Sequence, residues 1–321
     1  MMKIVYNGEM DPRAFKDILG KEIPALAAKD PDVIYLDADL MSCIGTAKWA
    51  VENPDRAVNC GIAEGNMAGV AAGLASVGFK PICHTFGPFA SRRCFDQVFL
   101  AGGYAGNDFT MIGTDPGICA AFNGGTHMPF EDMALYRSIP TATVIDIADA
   151  NQLISVLQQV NDIKGVKYIR VGRKNAAKVY EDGAATPIGK GITVREGKDA
   201  VVFATGIMIH EAMMAAEELA KEGIDIAVVD MFTVKPLDKE CVAKYAKQTG
   251  AVVTAENHNK IGGLYSAVAE TLAEDVLVPV EYVAVEDVYG EVGPQDYLRT
   301  QFDLTSDHIV RKVKKVLSRK A

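Results

Sequence analysis

The sequence predicts an α/β protein built from two consecutive open, mostly parallel sheets. Short apolar strands alternate with longer helical patterns, which is the order produced by parallel strands joined through crossover helices. The alternation stops at a polar segment with several glycines and then restarts, and 321 residues are enough for two domains. We therefore predict a first domain over residues 1–175, a linker over 176–198 and a second domain over 199–321.

Five buried strands are predicted in the first domain, because the runs are apolar, β-branched or aromatic and most end at Gly, Asp or Thr. They are Val33–Asp37, Lys80–His84, Phe109–Thr114, Thr143–Ile147 and Tyr168–Val171. The segments between and before them have helical patterns. These predicted helices are Phe15–Ala28, Glu64–Val77, Ala90–Ala101 and Asn151–Val160.

The second domain repeats this alternation without a sequence repeat of fixed period. Its predicted strands are Ala200–Thr205, Ile224–Val229, Ala251–Ala255 and Glu281–Val285. Its predicted helices are Met208–Lys221, one after Pro236, one after Gly262, and a C-terminal helix over about Ser306–Ser318. Thr305, Ser306 or Asp307 is available as the N-cap of that last helix.

Composition and missing motifs exclude several classes of protein. The chain has 33 Lys plus Arg against 42 Asp plus Glu, so a basic patch for nucleic acid or an anionic membrane is not expected. It has no apolar run long enough to span a membrane, and its six cysteines have neither metal-ligand nor disulfide-scaffold spacing. Motifs of nicotinamide dehydrogenases, P-loop enzymes and serine hydrolases are missing. We expect a reduced, cytoplasmic protein that binds neither nucleic acid nor membranes.

A stripe of small residues marks the predicted Glu64–Val77 helix. Glycines recur every four residues from Gly61 to Gly73, and a Gly inside a helix costs about 1 kcal/mol relative to Ala. That cost is explained if another backbone packs closely on this face. The packing could lie within one subunit or between two, and we favour a subunit interface.

Glu64 begins this helix among small and apolar residues. Desolvation there would favour a carboxyl that shares a proton, whereas a helix N-terminus would favour the charged form. Either a helix cap or a group for proton transfer fits the residues alone.

Loops that follow two predicted strands carry further candidates, because ligands bind at the carboxyl edge of open α/β sheets. Phe86 and Phe89 are either core residues or a flat platform for a heteroaromatic ring. His127, in a long Gly-rich loop, is the best candidate for proton transfer or a substrate contact. His84, His210 and His308 lack such a context and are typical of structural histidines, while His258 is ambiguous.

Several motifs, in the right order along the whole chain, resemble the pyrimidine-binding and C-terminal domains of transketolases. In the first half they are Asn59–Met67 around Glu64, Thr85-Phe86-x-x-Phe89, Phe95-Asp-Gln97 and Gly125–Pro140. In the second half they are Ala204-Thr-Gly206, Lys235-Pro-Leu-Asp238, Glu256-Asn-His258 and Gly262-Gly-Leu264. The chain is most similar to the split transketolases, in which two separate polypeptides form one enzyme.

This resemblance implies a thiamine diphosphate-binding pyrimidine domain followed by a Rossmann-like C-terminal domain. In the family, the residue matching Glu64 hydrogen-bonds a ring nitrogen of the cofactor's aminopyrimidine. Phe86 and Phe89 match aromatic residues around that ring, and Arg92 stands at a third such position. The implied reaction is the transfer of a two-carbon ketol unit from a ketose phosphate to an aldose phosphate in pentose phosphate metabolism, with Glu64 and His127 catalytic.

The resemblance also implies a set of substrate-binding residues. Arg13 and Arg173 match arginines that hold the sugar phosphate, and His127 matches a substrate-contacting histidine. Three positions depart from the family: Asp37 replaces a Ser, Asp115 a His and Asn123 an Asp. These substitutions argue against the usual sugar phosphates, because Asp37 would repel a phosphate. A branched sugar phosphate or a different acceptor is compatible with them.

The chain has no GDG motif, which in transketolases binds the diphosphate and its divalent metal in a preceding domain. The resemblance therefore implies no metal ligands in this chain. An N-terminal partner subunit would hold Mg²⁺ or Ca²⁺, and two copies of each chain would form an α₂β₂ heterotetramer. The Gly61–Gly73 face is the candidate interface.

Other interpretations stay open at this stage. The beta subunit of a 2-oxoacid dehydrogenase shares the architecture and a matching Glu. A deoxyxylulose-phosphate synthase resembles the region around Gln97 but is normally one long chain. An inactive subunit that serves only in assembly would also keep the fold. The sequence does not identify the sugar or the pathway.

Overall fold

The computed structural model describes residues 3–320 and contains two sheets, which confirms the predicted fold class. Within those residues the strands are β1 (Val33–Asp37), β2 (Ala57–Asn59), β3 (Lys80–Phe86), β4 (Phe109–Thr114), β5 (Thr143–Asp146), β6 (Val166–Val171), β7 (Ile192–Arg195), β8 (Ala200–Ala204), β9 (Ile226–Asp230), β10 (Thr233–Lys235), β11 (Val252–Asn259) and β12 (Val280–Val285).

Helices cover both sheets, as parallel strands require. They are α1 (Phe15–Lys29), α2 (Ala47–Glu52), α3 (Glu64–Ser76), α4 (Gly87–Ala90), α5 (Phe95–Gln97), α6 (Asp132–Arg137), α7 (Ala150–Leu157), α8 (Met208–Lys221), α9 (Lys239–Thr249), α10 (Leu264–Asp275), α11 (Gln295–Gln301) and α12 (Ser306–Ser318). A π-helical segment covers Val98–Tyr104, and 3₁₀ segments cover Met41–Ile44, Gly117–Asn123, Gly125–His127 and Val160–Asp162.

The first sheet has seven strands in the order β10-β5-β6-β4-β3-β1-β2, and the second has five in the order β12-β11-β8-β9-β7. Each sheet is parallel except at one edge, where β10 pairs antiparallel with β5 and β7 pairs antiparallel with β9. The inner strands β4, β6, β8 and β9 are buried along their whole length, which explains why they are mostly apolar; β6 is the exception in carrying Lys167 and Arg170.

The predicted helix over Ala90–Ala101 is interrupted in the structure. Helix α4 ends at Ala90, α5 begins at Phe95, and a π-helical segment continues to Tyr104. Ser91 Oγ donates a hydrogen bond to Gly87 O at 2.7 Å, so the hydroxyl competes with the helical ladder at this point. The interruption turns Arg93 toward Glu64 at the start of α3, while Arg92 bonds to Glu131 and Thr126.

The predicted linker contains ordered structure that belongs to both halves. Strand β7 lies inside residues 176–198 and forms the edge of the second sheet. Earlier in the segment, Val179 and Tyr180 are buried, and Val5 N donates to Val179 O at 2.9 Å. Conversely, β10 from the second half pairs with β5 and forms an edge strand of the first sheet. The domain boundaries themselves stay a prediction.

Arg170 of β6 connects the two halves. Its guanidinium is fully buried and donates to Asp132 Oδ2 at 2.7 Å, Asp146 Oδ2 at 3.2 Å and Asn257 O at 2.6 Å. Asn257 belongs to β11 of the second sheet. Burial disfavours the charged guanidinium and so acts to lower the pKa of Arg170. The neighbouring carboxylates of Asp132 and Asp146 outweigh this effect, and the pKa is raised. A buried cation, paired with two buried carboxylates of the first half, therefore bonds to the second half through the Asn257 carbonyl.

No helix in residues 3–320 is both long enough and apolar enough to cross a membrane.

We predict that Arg170→Met destabilises the fold by about 3–5 kcal/mol, because removing one partner leaves the other buried charges uncompensated. Urea unfolding of the purified chain measures this change in the free energy of unfolding. Arg311→Ala is the matched control, since Arg311 lies on the exposed face of α12 and pairs with Asp303 at 3.4 Å. The control should change stability by less than about 0.5 kcal/mol. If Arg170→Met lowered the free energy of unfolding by less than about 1 kcal/mol, a structural role for Arg170 and its two carboxylates would be contradicted.

Candidate active site

Four parallel strands of the first sheet end at the same edge, and most candidate residues lie there. Asp37 ends β1, Phe86 ends β3, Asp115 follows β4, and Arg173 follows β6. Helix α3 begins beside them at Glu64. This is the edge where open α/β sheets bind ligands.

Glu64 is buried, with 2% of its surface exposed, at the first position of α3. Its Oε1 accepts a hydrogen bond from Arg93 Nη1 at 2.8 Å. Its Oε2 is inaccessible to solvent and has no hydrogen-bond partner among residues 3–320. A buried carboxylate oxygen without a donor is costly, so this oxygen is a position where a bound group with a donor would be stabilised.

Three aromatic rings pack together and are linked to this carboxylate through Arg93. Phe86 and Phe89 have ring centroids 6.3 Å apart, and the His127 ring meets Phe89 at 5.1 Å and Phe86 at 6.0 Å, in both cases edge to face. All three side chains are half-buried. They form a platform for a flat ligand rather than part of the sealed core.

Cations cover the outer ring faces. The Arg93 guanidinium lies 3.8 Å from the centroid of Phe89, and that of Arg173 lies 4.9 Å from the centroid of Phe86. Cation–π attraction of this kind fixes the orientation of a guanidinium. Glu64, Arg93, the three aromatic rings and Arg173 therefore form one connected cluster.

Arg173 is held by Asp115, which is buried. Asp115 Oδ2 accepts from Nε of Arg173 at 2.7 Å and lies 2.5 Å from its Nη2. Burial raises the pKa of Asp115, and the guanidinium opposes that shift. Asp115 has φ +59°, a left-handed conformation that is unusual for a residue other than glycine and that recurs at functional loops.

Asp37 lies beneath this cluster in a network of its own. Its Oδ2 is 2.7 Å from His84 Nδ1 and accepts from Tyr35 OH, while its Oδ1 accepts from Leu40 N. The other nitrogen of His84 lies 3.2 Å from Thr114 Oγ1. Asp37 and His84 are fully buried, so the carboxylate is stabilised by donors and its charge is not presented to solvent.

Arg92 and Arg13 form their hydrogen bonds with residues outside the aromatic platform. Arg92 donates to Glu131 Oε1 and Thr126 O, each at 2.8 Å, and thus ties the His127 loop to α4. Arg13 donates to both oxygens of Asp11, at 2.9 and 2.6 Å, and to Asn151 at 3.0 Å. The cofactor role predicted for Arg92 and the substrate role predicted for Arg13 stay predictions.

Asn123 is exposed and lines a cleft of about 420 Å³ next to the cluster. Asp115 and Arg173 lie on one side of the cleft, and Lys16 and Lys174 also line it. In residues 3–320 neither lysine pairs with a carboxylate, and Asp37 is not part of the cleft wall. The cleft is therefore rich in positive charge.

The remaining histidines differ from His127. His258 is fully buried, its Nδ1 lies 2.7 Å from Asn259 O, and burial lowers its pKa to about 4, so it is neutral. His210 Nδ1 lies 2.8 Å from Tyr6 OH. Among residues 3–320 no group of three His, Cys, Asp or Glu side chains is arranged to hold a metal ion.

Sequence reasoning missed Arg93, His84 and the two cleft lysines. The sequence placed Arg92 and Arg93 side by side, but only the break after Ser91 decides which one turns toward Glu64. His84 carried one usable signal, its position at the carboxyl end of a predicted strand. Lys16 and Lys174 had none, because they lie 158 positions apart in the chain.

Two known domain families match the chain over most of its length. Residues 11–178 match the transketolase pyrimidine-binding domain, and residues 189–309 match the transketolase C-terminal domain.

Individual relatives agree with these families. The chain is 48% identical over 294 residues to a 6-deoxy-6-sulfo-D-fructose transketolase subunit of Clostridium sp. (strain MSTE9), covering 92% of this chain and 91% of that protein. It is 31% identical over 313 residues to human transketolase, covering 96% of this chain and 50% of the human protein. A solved split-gene transketolase, described as an inactive β₄ tetramer, superposes with a TM-score of 0.88 at 39% identity over 96% of this chain and 99% of that chain.

Proposed function

The chain belongs to the transketolase family, and we propose that it is the C-terminal subunit of a split thiamine diphosphate-dependent transketolase that transfers a two-carbon ketol unit between sugars. The observation that carries this proposal is the buried Oε2 of Glu64, which has no hydrogen-bond partner among residues 3–320, in a carboxylate that Arg93 links to the aromatic platform. Family membership supports a transferase, and the geometry supports the place where its cofactor would bind.

The residues present fit the aminopyrimidine of the cofactor. Phe86 and Phe89 would contact the flat ring, and Oε2 of Glu64 would share a proton with a ring nitrogen. When bound, thiamine diphosphate supplies a carbon nucleophile and an electron sink. The contribution of this chain is to hold the ring, exclude water from it and place Oε2 where it can share a proton with a ring nitrogen.

His127 is placed to contact the substrate. Its Nδ1 lies 2.9 Å from Thr126 Oγ1, and its ring packs against Phe86 and Phe89. The Thr126 contact orients the imidazole, so Nε2 is the nitrogen that would face a sugar hydroxyl or carbonyl. We propose a role in substrate orientation and proton transfer for this nitrogen.

The cleft beside Arg173 suits an anionic end of the sugar. Lys16 and Lys174 are exposed to it and lack carboxylate partners within residues 3–320, whereas Asp115 partly neutralises Arg173. The Clostridium relative is named for a sulfonated sugar. Phosphate and sulfonate are both tetrahedral oxyanions, and either would be stabilised by two flexible ammonium groups. We propose that the substrates carry a phosphate or sulfonate at this end.

Activity should require a partner subunit that binds the diphosphate and Mg²⁺ or Ca²⁺, in an α₂β₂ assembly. The solved relative that contains only β chains is described as inactive. The Gly61–Gly73 face supports such an assembly, because Gly69 and Gly73 are exposed with open space beside them and Ile62 is 75% exposed. A helix face this poor in side chains permits close approach of another backbone.

We predict that the chain has no ketol-transfer activity alone and gains it when mixed with the co-encoded protein that carries a GDG motif. The assay uses xylulose 5-phosphate or 6-deoxy-6-sulfo-D-fructose as donor and an aldose phosphate as acceptor, with thiamine diphosphate and Mg²⁺. Full turnover by the chain alone would refute partner dependence.

We expect Glu64→Gln to lower kcat by about 10²–10⁴-fold, the usual contribution of a positioned acid–base group. The substitution keeps the volume of the side chain but removes the shared proton. Size-exclusion chromatography of the complex should show unchanged assembly. Glu218→Gln, at an exposed pair with Lys221, is the control and should leave kcat unchanged. Turnover of Glu64→Gln within tenfold of the parent would argue against the proposed role.

A double variant with Lys16→Ala and Lys174→Ala should raise KM for anionic sugars about tenfold or more. The reason is that each lost charge-assisted contact is worth about 1.5–3 kcal/mol. The value of kcat should change little, because neither lysine touches the reacting atoms. KM for a sugar without phosphate or sulfonate should not change. Lys48→Ala, whose side chain is 89% exposed, is the control. An equal rise in KM for neutral and anionic sugars would contradict an anion site.

A further inference from the structure

Arg93 has no assigned role, yet it contacts the two features that define the site. Its Nη1 donates to Glu64 Oε1 at 2.8 Å, and its Cζ lies 3.8 Å from the centroid of the Phe89 ring. The side chain is 43% exposed, while its carboxylate partner is 2% exposed. The guanidinium thus forms part of the wall between Glu64 and solvent.

The two contacts restrain different parts of the guanidinium. The face of a planar cation rests on Phe89, while one of its edges donates to the carboxylate. A lysine ammonium could supply the charge but not the flat stacked face. Arg93 is therefore held in one orientation by the ring and holds Glu64 in turn.

The hydrogen bond divides the carboxylate into two different oxygens. Oε1 is occupied by Arg93, and Oε2 is buried without a partner in residues 3–320. A carboxylate at a helix N-terminus that was free to rotate could place either oxygen toward the platform or turn back to cap α3. The contact with Arg93 prevents both motions, so a ligand donor meets Oε2 in one defined position.

We propose that Arg93 is a positioning residue for Glu64, fixing the carboxylate so that Oε2 alone is available to a ring that contacts Phe86 and Phe89. This inference rests on the proposed function, because the ring is taken to be the aminopyrimidine of thiamine diphosphate. Arg93 acts through Glu64 and makes no contact with the reacting atoms.

The test is a double-mutant cycle on cofactor binding in the complex of this chain with its GDG-containing partner. Equilibrium dialysis measures the apparent Kd of thiamine diphosphate for the parent, Arg93→Ala, Glu64→Gln and the double variant. We expect Arg93→Ala to weaken binding about tenfold in the parent, and less than about twofold when Glu64 is already Gln. Arg93→Lys should recover part of the loss. Arg311→Ala, on exposed α12, is the control for loss of a surface arginine.

Each contrary outcome has a distinct meaning. Unchanged binding by Arg93→Ala would overturn the positioning role, and so would an equal loss in both backgrounds, which would show that Arg93 does not act through Glu64. Tighter binding would overturn it as well, since it would show that the guanidinium occupies the place of the ring. If the parent complex binds no thiamine diphosphate, the proposed function itself fails, and the inference fails with it.

Discussion

The buried guanidinium of Arg170 is the contact on which the arrangement of the site depends. It joins Asp132 at the start of α6, Asp146 at the end of β5 and the backbone of Asn257 in the second sheet. The Asn257 side chain then accepts from Ile118 N at 3.0 Å and donates to Pro116 O at 3.0 Å. The loop that carries Asp115, Asn123 and His127 is therefore fixed by the second half of the chain, although its residues belong to the first. Because buried charges are costly unless paired, this network has one favourable geometry.

Above this junction the charged side chains of the site form pairs. Glu64 pairs with Arg93, Asp115 with Arg173 and Asp37 with His84. Each carboxylate is buried, and each has a cationic or hydrogen-bonding partner. Such a partner is needed because a charge buried in the protein interior is costly when it is left unpaired. Two features are left without partners among the described residues, namely Oε2 of Glu64 and the ammonium groups of the cleft lysines. The platform connects to both, since Arg93, the partner of Glu64, lies over Phe89, and Arg173, which lines the cleft, lies over Phe86. One site can therefore hold a neutral heteroaromatic ring and an anionic sugar end.

Eight of the nine predicted strands match to within two residues, because buried parallel strands are largely apolar runs bounded by turn residues. The exception is β11, which continues to Asn259, four residues past its predicted end at Ala255. The edge strands β2, β7 and β10 were not predicted, since each is only three or four residues long and owes its conformation to a neighbour distant in sequence. The helix over Ala90–Ala101 was predicted as continuous because helical propensity does not account for the hydrogen bond from the Ser91 hydroxyl to a backbone carbonyl. Phe86, Phe89 and His127 lie together because the loops that carry them follow strands that end at one edge, whereas the roles predicted for them and for Glu64 stay predictions.

The sequence by itself determined the α/β class, the restart of the alternation near residue 200 and the resemblance to transketolases, since these depend on local periodicity and on motifs. Only the tertiary structure decided how charges are distributed at the site. Asp37, expected to repel a phosphate, is enclosed by His84, Tyr35 and Leu40, and Arg13 turns to Asp11. Arg93 reaches Glu64, and Lys16 and Lys174 line the same cleft because their backbone segments are hydrogen-bonded side by side. The direction of a long side chain depends on which partners the fold brings within hydrogen-bonding distance, and that information is not local to any segment.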